Sequence, residues 1–525
     1  MGVAASGVLL TGLPLSVRAA PAGADMKWET YPSQTMKTTG KVLGPSYAPF
    51  SVEMESSGQS CIKLAAADEY VEFIARSPAN AMVIRYSIPD SPQGDGIDAG
   101  IDLYRNGGFV RTLPVTSRYS WLYGAYPFSN DPAKGKPRNF YDECRVLGLS
   151  IAKGDVIRLQ KPADQAAWCV IDLVDLEQVG PPRSRPANSL SPADFGTEAL
   201  RACIAQAAEQ HLSVWLPAGT YQISGEIIIP SGVTIEGAGM WHTLIAGDET
   251  LYADPKRRVT FTLTGSGARL ADFAILGRLS HRDDAEANDG IIGKGCEDFT
   301  LSRLWIEHTK VGMWFYGCAN GTIEECRLRN TRADGINFCT HSHHLTAKNC
   351  TARNTGDDCF AIWPAAFDHS HVQRSPAPGT NLFQNCTGEL SYLANGGAIY
   401  GGEGNRIEGC RFTDIAAGCG ILISTTFPTA DEAFGIDYGF SGTTLIKDCE
   451  LTRCGGFDHE WGWRSAFQIC LDRSGIKGIE VERLAIRDSL SEGFSVIGHG
   501  ELTEARLDGI TLTPAKRRSS AQTGG

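Results

Sequence analysis

The chain has 525 residues, 42% of them hydrophobic and 21% charged, which excludes both a disordered chain and a collagen-like fibre. Its 48 basic and 60 acidic side chains give a net charge of −12. Because no basic field would collect phosphates, nucleic acid is excluded as a partner and neutral sugars fit better. No run of about 18 or more apolar residues is present, so the sequence predicts no membrane-spanning helix.

The first segment, residues 1–25, resembles a secretory signal peptide. An apolar run from Val3 to Val17 is followed by small residues around Ala20 to Ala24, the usual order of a hydrophobic region and a cleavage site. The basic residues that normally precede the apolar run are absent, because Arg18 follows it. On balance the segment predicts export, so we expect a secreted, extracellular protein.

Residues 26–179 are predicted to form a β-sandwich. Short apolar or alternating runs are separated by turn residues, and Asn106-Gly107 is a typical hairpin turn between two of them. A sandwich beside a catalytic unit is often a carbohydrate-binding module, and a purely structural cap is the alternative. The predicted strands cover residues 70–74, 81–88, 100–104, 109–115, 156–159 and 168–173.

Four aspartates crowd one segment of this predicted sandwich: Asp90, Asp95, Asp98 and Asp102. Carboxylate oxygens are the ligands that calcium prefers, so a structural calcium site is one interpretation. A solvated acidic loop is the other interpretation, and the sequence favours it. No other metal and no cofactor is expected.

The segment 180–192 separates the two predicted domains. Prolines and serines cluster there without hydrophobic periodicity, which is typical of a linker. The second domain is predicted over residues 193–512, and the polar tail 513–525 is predicted to be disordered. Within the second domain, residues 197–210 carry apolar side chains at helical spacing and are predicted to cap one end of the fold.

A repeat of 22 to 24 residues runs through the second domain. Gly290, Gly312 and Gly335 each open a short apolar run, at spacings of 22 and 23. Five cysteines recur in similar contexts at spacings of 24, 36, 24 and 39, which equal one turn or one turn with an inserted loop; they are Cys326, Cys350, Cys386, Cys410 and Cys449. This period, with three short strands per turn, predicts an all-β protein with a right-handed parallel β-helix.

The cysteine column is interpreted as part of the interior of this solenoid. Identical residues one turn apart stack on each other, and a small apolar thiol packs well in such a column. No Cys-x-x-Cys pair supports a metal site. His341, His343 and His344 fall between predicted strands and are interpreted as loop histidines rather than metal ligands.

Three aspartates carry the predicted chemistry. A step of one 24-residue turn places Asp334 directly beneath Asp358, with Asp357 beside it, and Asp289 lies two turns below. Strands of successive turns lie about 4.8 Å apart, so these carboxylates are expected to be close neighbours. Their repulsion raises at least one pKa, which acid–base cleavage of a glycosidic bond requires. The alternative is that Gly-Asp-Asp merely forms a turn.

The stacked pair Asp334 and Asp358 is expected to share the attacking water, and the offset Asp357 is then the proton donor. Sugar sites also need flat apolar platforms. Trp363, Trp461 and Trp463 are the predicted sugar-binding aromatics, together with Asp289 as a polar contact. Trp314 and Tyr400 are further candidates that core packing would explain equally well.

The segments Asp334-Gly-Ile-Asn and Arg353-Asn-Thr-Gly-Asp-Asp-Cys-Phe-Ala-Ile-Trp resemble the catalytic region of glycoside hydrolase family 87, the α-1,3-glucanases and mycodextranases. Upstream segments, among them Tyr126-Pro-Phe-Ser-Asn, are similar to the β-sandwich that precedes the helix in that family. The resemblance implies an inverting hydrolase of α-1,3-linked glucan that uses Asp334, Asp357 and Asp358. Cys359 and Val311 depart from the expected pattern.

Two other interpretations stay open from the sequence. Gly356-Asp-Asp-Cys also resembles the double-aspartate motif of the polygalacturonases, glycoside hydrolase family 28, but the Gly-His-Gly at Gly498 lies 140 residues beyond Asp358, where about one turn is expected. A non-catalytic, glycan-binding solenoid is the third possibility, and it would scatter the acidic residues around the circumference. A monomer acting on an α-glucan polysaccharide is the expectation.

Overall fold

A computed structural model of the chain describes residues 22–286, 290–366, 377–459 and 462–513. It consists of a β-sandwich followed by a parallel β-helix, as the sequence predicts. Within the described residues, no helix has both the length and the apolar character needed to cross a membrane.

The sandwich contains two antiparallel sheets around an apolar core. Tyr104 pairs with Phe109 and Arg105 with Gly108, so Asn106-Gly107 forms the predicted hairpin turn. One sheet contains Trp28–Pro32, Lys41–Leu43, Cys61–Leu64, Ala79–Ser87, Asp142–Ile151 and Cys169–Glu177. The other contains Lys37–Thr38, Tyr70–Ile74, Asp98–Arg105, Gly108–Thr116 and Val156–Gln160.

The helix Thr197–Gln210, at the predicted bounds, covers one end of the solenoid core with Leu200, Ile204 and Ala207. Each regular turn contributes three strands, two to a long sheet and one to a shorter sheet. The shorter sheet contains Glu226–Ile229, Thr260–Leu263, Gly290–Lys294, Met313–Tyr316, Ile336–Cys339, Phe360–Trp363, Gly397–Ile399, Ile421–Ser424, Phe467–Leu471 and Phe494–Gly498.

The long sheet contains Ser189–Leu190, Ser213–Leu216, Gly219–Ile223, Thr234–Gly237, Thr243–Gly247, Arg269–Leu276, Thr300–Glu307, Thr322–Glu324, Arg327–Arg329, Thr346–Lys348, Thr351–Arg353, Leu382–Gln384, Thr387–Glu389, Arg406–Glu408, Arg411–Thr413, Thr444–Lys447, Glu450–Thr452, Ile479–Glu482, Leu484–Arg487 and Ile510–Thr513. The described residues also contain two antiparallel two-stranded ribbons, Ala430–Asp431 with Ile436–Asp437 and Phe457–Asp458 with Gly462–Trp463, and one parallel pair, Ile476–Lys477 with Leu502–Thr503.

The five repeated cysteines lie at the bend between the two long-sheet strands of a turn. All five are buried in the solenoid core, and all sixteen cysteines of the chain are unpaired. The residue before each repeated cysteine has a positive φ, which Asn, Asp and Gly adopt more easily than other residues. The five residues are Glu325, Asn349, Asn385, Gly409 and Asp448. The repeated motif therefore encodes a left-handed corner followed by a buried thiol.

The sandwich is joined to the β-helix by a buried, charged interface. Arg353 of the solenoid contacts both Glu143 and Asp175 of the sandwich, the latter at 2.7 Å, and its side chain is 2% exposed. Arg327 makes a bidentate ion pair with Glu177 at 2.7 and 2.8 Å. The sandwich and the solenoid therefore form one packed unit.

The predicted domain boundaries shift by a few residues. The strand Ser189–Leu190 pairs with Ser213–Leu216, so the solenoid begins inside the predicted linker 180–192. Residues 22–25, predicted as the end of a signal peptide, contact the solenoid: the Gly23 N–H donates to the Gly409 carbonyl at 2.7 Å. Residues 1–21 and 514–525, which hold the rest of the predicted signal peptide and tail, lie outside the described residues.

Candidate active site

The three predicted catalytic aspartates lie together where shorter-sheet strands begin. Asp334 precedes the strand Ile336–Cys339 and Asp358 precedes Phe360–Trp363, and Ile336 pairs with Phe360. Asp334 therefore lies one turn beneath Asp358, at the predicted offset of 24 residues. One carboxylate oxygen from each of Asp334, Asp357 and Asp358 lies within 4.8 Å of the others.

Asp358 is buried and hydrogen-bonded by the next turn of the solenoid. Its Oδ1 accepts from the backbone N–H of Asn395 at 3.0 Å and from the side-chain amide of Asn395 at 2.8 Å, and its Oδ2 accepts from the Tyr400 hydroxyl at 2.8 Å. Burial and the neighbouring charge of Asp357 nevertheless raise the pKa of Asp358 to about 7. This carboxyl group therefore titrates near neutrality.

Asp334 is also buried, but it accepts fewer hydrogen bonds that would stabilise its ionised form. Its Oδ2 accepts from the Asn337 side-chain amide at 3.2 Å. Burial, followed by the charges of Asp357 and Asp358, raises the pKa of Asp334 well above its usual range. The surroundings of Asp334 therefore favour its protonated form.

Asp357 has a different environment. Its Oδ2 lies 2.7 Å from Nη1 of Arg282, and its side chain is 28% exposed. Its Oδ1 accepts from the backbone N–H of Asp358 at 3.1 Å. Burial of Arg282 would lower the pKa of the guanidinium, but the charges of Asp357 and Asp284 raise it well above its usual range. Asp357 therefore has a permanently charged partner.

The aspartates open into a cavity of about 1300 Å³ along the face of the shorter sheet. Aromatic side chains form one wall of it; they are Tyr126, Trp314, Tyr316, Trp363, Tyr400 and Phe427. Trp314 stacks on Tyr316 at 5.9 Å, and Trp363 packs against Phe427 at 5.4 Å. Farther along the cavity the lining becomes charged, with Lys256, Lys294 and Glu226 among the lining residues. Flat apolar faces beside polar groups are suited to sugar rings, which have both kinds of surface.

The predicted sugar-binding residues are only partly brought together. Trp363 lines the cavity, and so does Trp314, which the sequence left undecided between core and platform. Trp463 is 50% exposed, packs against Phe457 on a two-stranded ribbon and does not line this cavity. Asp289 and Trp461 lie outside the described residues.

Four residues of the site were missed from the sequence. Asn395 and Asn337 hold two of the carboxyl groups, Arg282 pairs with the third, and Tyr126 reaches the cavity from the sandwich. Asn337 follows Asp334 by three residues, so the sequence around Asp334 could have indicated it. The other three come from an inserted turn, an irregular loop and another domain, so no local spacing signals them.

Among the described residues, the three aspartates are the one group of three acidic, histidine or cysteine side chains that is close enough to hold a metal ion. The four aspartates of the predicted calcium segment each have a partner within the protein. Asp90 accepts from the Tyr123 hydroxyl at 2.8 Å, and Asp102 accepts from the Thr112 hydroxyl at 2.5 Å. Asp95 accepts from the Ser91 hydroxyl, and Asp98 pairs with Arg118.

The chain matches two family descriptions in sequence. Residues 25–179 match the alpha-1,3-glucanase catalytic domain D1, and residues 197–466 match the alpha-1,3-glucanase catalytic domain D2. No match was found among curated proteins.

Several solved structures are similar. The catalytic domain of Agl-KA is 26% identical, with 95% of this chain and 89% of that one covered and a TM-score of 0.81. A GH87 alpha-1,3-glucanase catalytic domain in complex with nigerose is 26% identical, with 90% and 86% covered and a TM-score of 0.79. The catalytic unit of the GH87 alpha-1,3-glucanase from Streptomyces thermodiastaticus strain HF3-3 is 27% identical, with 94% and 87% covered and a TM-score of 0.74.

A parallel β-helix with three clustered aspartates in a long, aromatic-lined cavity defines a glycoside hydrolase. The D1 and D2 matches together account for the sandwich and most of the solenoid, so both are parts of one catalytic unit. The chain belongs to glycoside hydrolase family 87, the α-1,3-glucanases. The family resemblance stated from the sequence is confirmed, and the polygalacturonase and non-catalytic interpretations are set aside.

Proposed function

We propose that this enzyme hydrolyses α-1,3-glucosidic bonds in a glucan with inversion of configuration, using Asp358 as general acid and Asp357 as general base. The observation that carries the proposal is the difference in charge environment within the trio. Asp358 has a pKa of about 7, whereas Asp357 faces Arg282 at 2.7 Å. A pair of carboxyl groups in different protonation states is what glycosidic cleavage requires.

These roles differ from the ones expected from spacing alone, where Asp357 was the proton donor. An arginine next to a carboxylate favours its charged form, and a proton donor must carry its proton at the start of the reaction. Asp358 meets that requirement near neutral pH. Asp334, whose pKa is also raised by burial, is proposed to stay neutral and to orient the water through a hydrogen bond.

Inversion is supported by the protonation and hydrogen bonding of the three carboxyl groups, which make each of them a poor nucleophile, rather than by the distances between them. Inverting enzymes usually separate the two carboxyl groups by about 6.5–9.5 Å and retaining enzymes by about 5–5.5 Å. Here one carboxylate oxygen from each of the three aspartates lies within 4.8 Å of the others. The distance between the centres of two carboxyl groups can be larger than this distance between their nearest oxygens. Asp334 and Asp358, whose surroundings favour the protonated form, are poor nucleophiles, and both oxygens of Asp357 already accept hydrogen bonds. A water held by Asp357 is therefore the better attacking group.

The relatives support the substrate class and the trio. Solved relatives were obtained in complex with nigerose and with tetrasaccharides. Two of these complexes carry alanine in place of an aspartate, at positions 24 residues apart, which is the interval between Asp334 and Asp358. An α-glucan long enough to lie along the 1300 Å³ cavity is the proposed substrate. Secretion and a monomeric state stay predictions from the sequence.

The first experiment measures sugar release from α-1,3-glucan, dextran and polygalacturonate, and follows the anomer formed first by proton NMR. We expect release from α-1,3-glucan with the β-anomer appearing first, because inversion at an α-linked carbon gives the β-product. Early α-anomer would refute inversion while leaving the glycosidase intact. Asp437→Asn, at an exposed aspartate outside the cavity, is the control and is expected to keep full activity.

The second experiment separates the roles within the trio. Loss of general acid or base catalysis costs on the order of 10²–10⁴ in rate. Asp358→Ala is expected to recover on an α-glucoside with a good leaving group, which needs no proton donor. Asp357→Ala is expected to recover with azide, which replaces the activated water and forms a β-glycosyl azide. The opposite pattern of recovery would return the acid role to Asp357.

A further inference from the structure

A chain of side-chain contacts links the sandwich to the proposed catalytic base. The Tyr126 hydroxyl, on the sandwich, donates to Oδ2 of Asp284. Oδ1 of Asp284 accepts from Nε of Arg282 at 2.9 Å, and Nη1 of Arg282 reaches Oδ2 of Asp357 at 2.7 Å. Two side chains, those of Asp284 and Arg282, thus lie between the sandwich and Asp357.

Arg282 is fixed on several sides. Its side chain is 8% exposed, and Nη1 also donates to the Gly356 carbonyl at 2.8 Å, directly before Asp357 in the chain. The guanidinium carbon lies 5.0 Å from the centre of the Tyr126 ring, within cation–π range. These contacts hold the planar guanidinium at its edges and on one face, so they fix its orientation. The orientation of the guanidinium in turn sets the direction of the Asp357 carboxylate.

Tyr126 is itself held by its surroundings. Its ring packs against Phe128 at 5.6 Å and stacks on His459 at 5.2 Å. Phe128 belongs to the sandwich and His459 to the solenoid domain, so the packing between the two domains holds this ring in place. The packed domain interface therefore gives the irregular segment that carries Arg282 and Asp284 a contact outside itself.

We propose that Tyr126 is a positioning residue for catalysis, which orients Arg282 through Asp284 so that the Asp357 carboxylate is aimed at the attacking water. This inference rests on the proposed function of Asp357 as the base. It gives the sandwich a part in catalysis, in addition to the carbohydrate-binding or capping role predicted from the sequence. Binding of glucan in the ground state does not depend on this positioning role of Tyr126.

The test compares Tyr126→Phe with a matched control, Tyr123→Phe. Both variants remove a sandwich hydroxyl that donates to an aspartate, Asp284 and Asp90 respectively, and Tyr123 does not line the cavity. Loss of one hydrogen bond to a charged group predicts a fall in kcat of roughly 10-fold for Tyr126→Phe, with KM changed less than about twofold. Tyr123→Phe is expected to keep the parental kcat and KM.

A second pair of variants tests the arginine. Arg282→Lys keeps the charge but loses the planar fork, and is expected to lower kcat on the order of 10²-fold with Tm nearly unchanged. Arg303→Lys, which also disrupts a bidentate pair, with Asp272 at 2.7 and 2.8 Å, is the control and should keep its kcat. Tyr126→Phe combined with Asp284→Asn should cost no more than the larger single effect, since both interrupt one path.

Full kcat in Tyr126→Phe and Arg282→Lys would overturn the inference, as would additive losses in the combined variant. A raised KM with unchanged kcat in Tyr126→Phe would also overturn it, because that result describes a sugar contact. Failure of the proposed function is distinguishable, since the parental enzyme would then release no sugar from α-1,3-glucan, or azide would fail to restore the Asp357→Ala variant. A variant that unfolds is recognised by its Tm, and the phenylalanine substitution, which keeps the ring packing, remains informative in that case.

Discussion

Replacing Asp358 by asparagine should make the protein inactive and, at alkaline pH, more stable. The pKa of Asp358 is raised from 3.8 to about 7 in the folded chain, mainly because the group is buried. A raised pKa means that the stability contributed by the protonated form is complete below about pH 4 and is lost as the pH rises through about 7. At about 1.4 kcal/mol for each pKa unit, the ionised carboxylate costs the folded state about 4 kcal/mol at pH 8.

Asparagine removes this cost but fits the hydrogen bonds less well. The Tyr400 hydroxyl and the Asn395 amide both donate to Asp358, and an amide group cannot accept from all of these donors. A lost or unsatisfied hydrogen bond costs about 1–3 kcal/mol. The balance is therefore a gain of about 1–3 kcal/mol at pH 8 and a loss of similar size at pH 4.

Thermal unfolding of the parental and Asp358→Asn proteins across pH 4–8 measures this balance, with Asp437→Asn as the exposed control. The difference in Tm should change sign within this range for Asp358→Asn and stay flat for the control. A stability difference that does not vary with pH would refute the reasoning, because it would mean that the Asp358 carboxyl does not titrate over this range in the folded protein.

Three further predictions concern activity, binding and the domain interface. The rate of α-1,3-glucan hydrolysis should fall as the pH rises through about 7, because Asp358 then loses the proton it donates; an activity plateau extending well above pH 8 would contradict this. Trp363→Ala should raise KM for oligosaccharides about tenfold by removing a stacking face, with a smaller effect on kcat, which steady-state kinetics will measure. Arg353→Met should lower the free energy of unfolding by about 3–5 kcal/mol, because Glu143 and Asp175 are left buried without their partner; urea unfolding checks this, and Glu143→Gln in the same chain should recover part of the loss.

Much of the fold could be predicted because its repeats are local. The period of 24 residues aligned Asp334 with Asp358, and the helix over 197–210 was found at its observed bounds. Parallel strands one turn apart pair at a fixed interval, so an offset read from the cysteine column applies to every residue of the same turn. Inserted loops break that rule, which is why Asn395, 37 residues beyond Asp358, was not predicted as its partner.

The sequence by itself determined the solenoid, the sandwich, the family resemblance and the three aspartates, because each depends on residues that are close together in the chain or one repeat period apart. Tertiary structure decided how the aspartates differ. Arg282 and Tyr126 reach the site from an irregular segment and from the other domain, and the burial of Asp334 and Asp358 depends on everything packed around them. A carboxyl group's charge is set by its whole surroundings in space, so the roles of the three could not be assigned from their spacing.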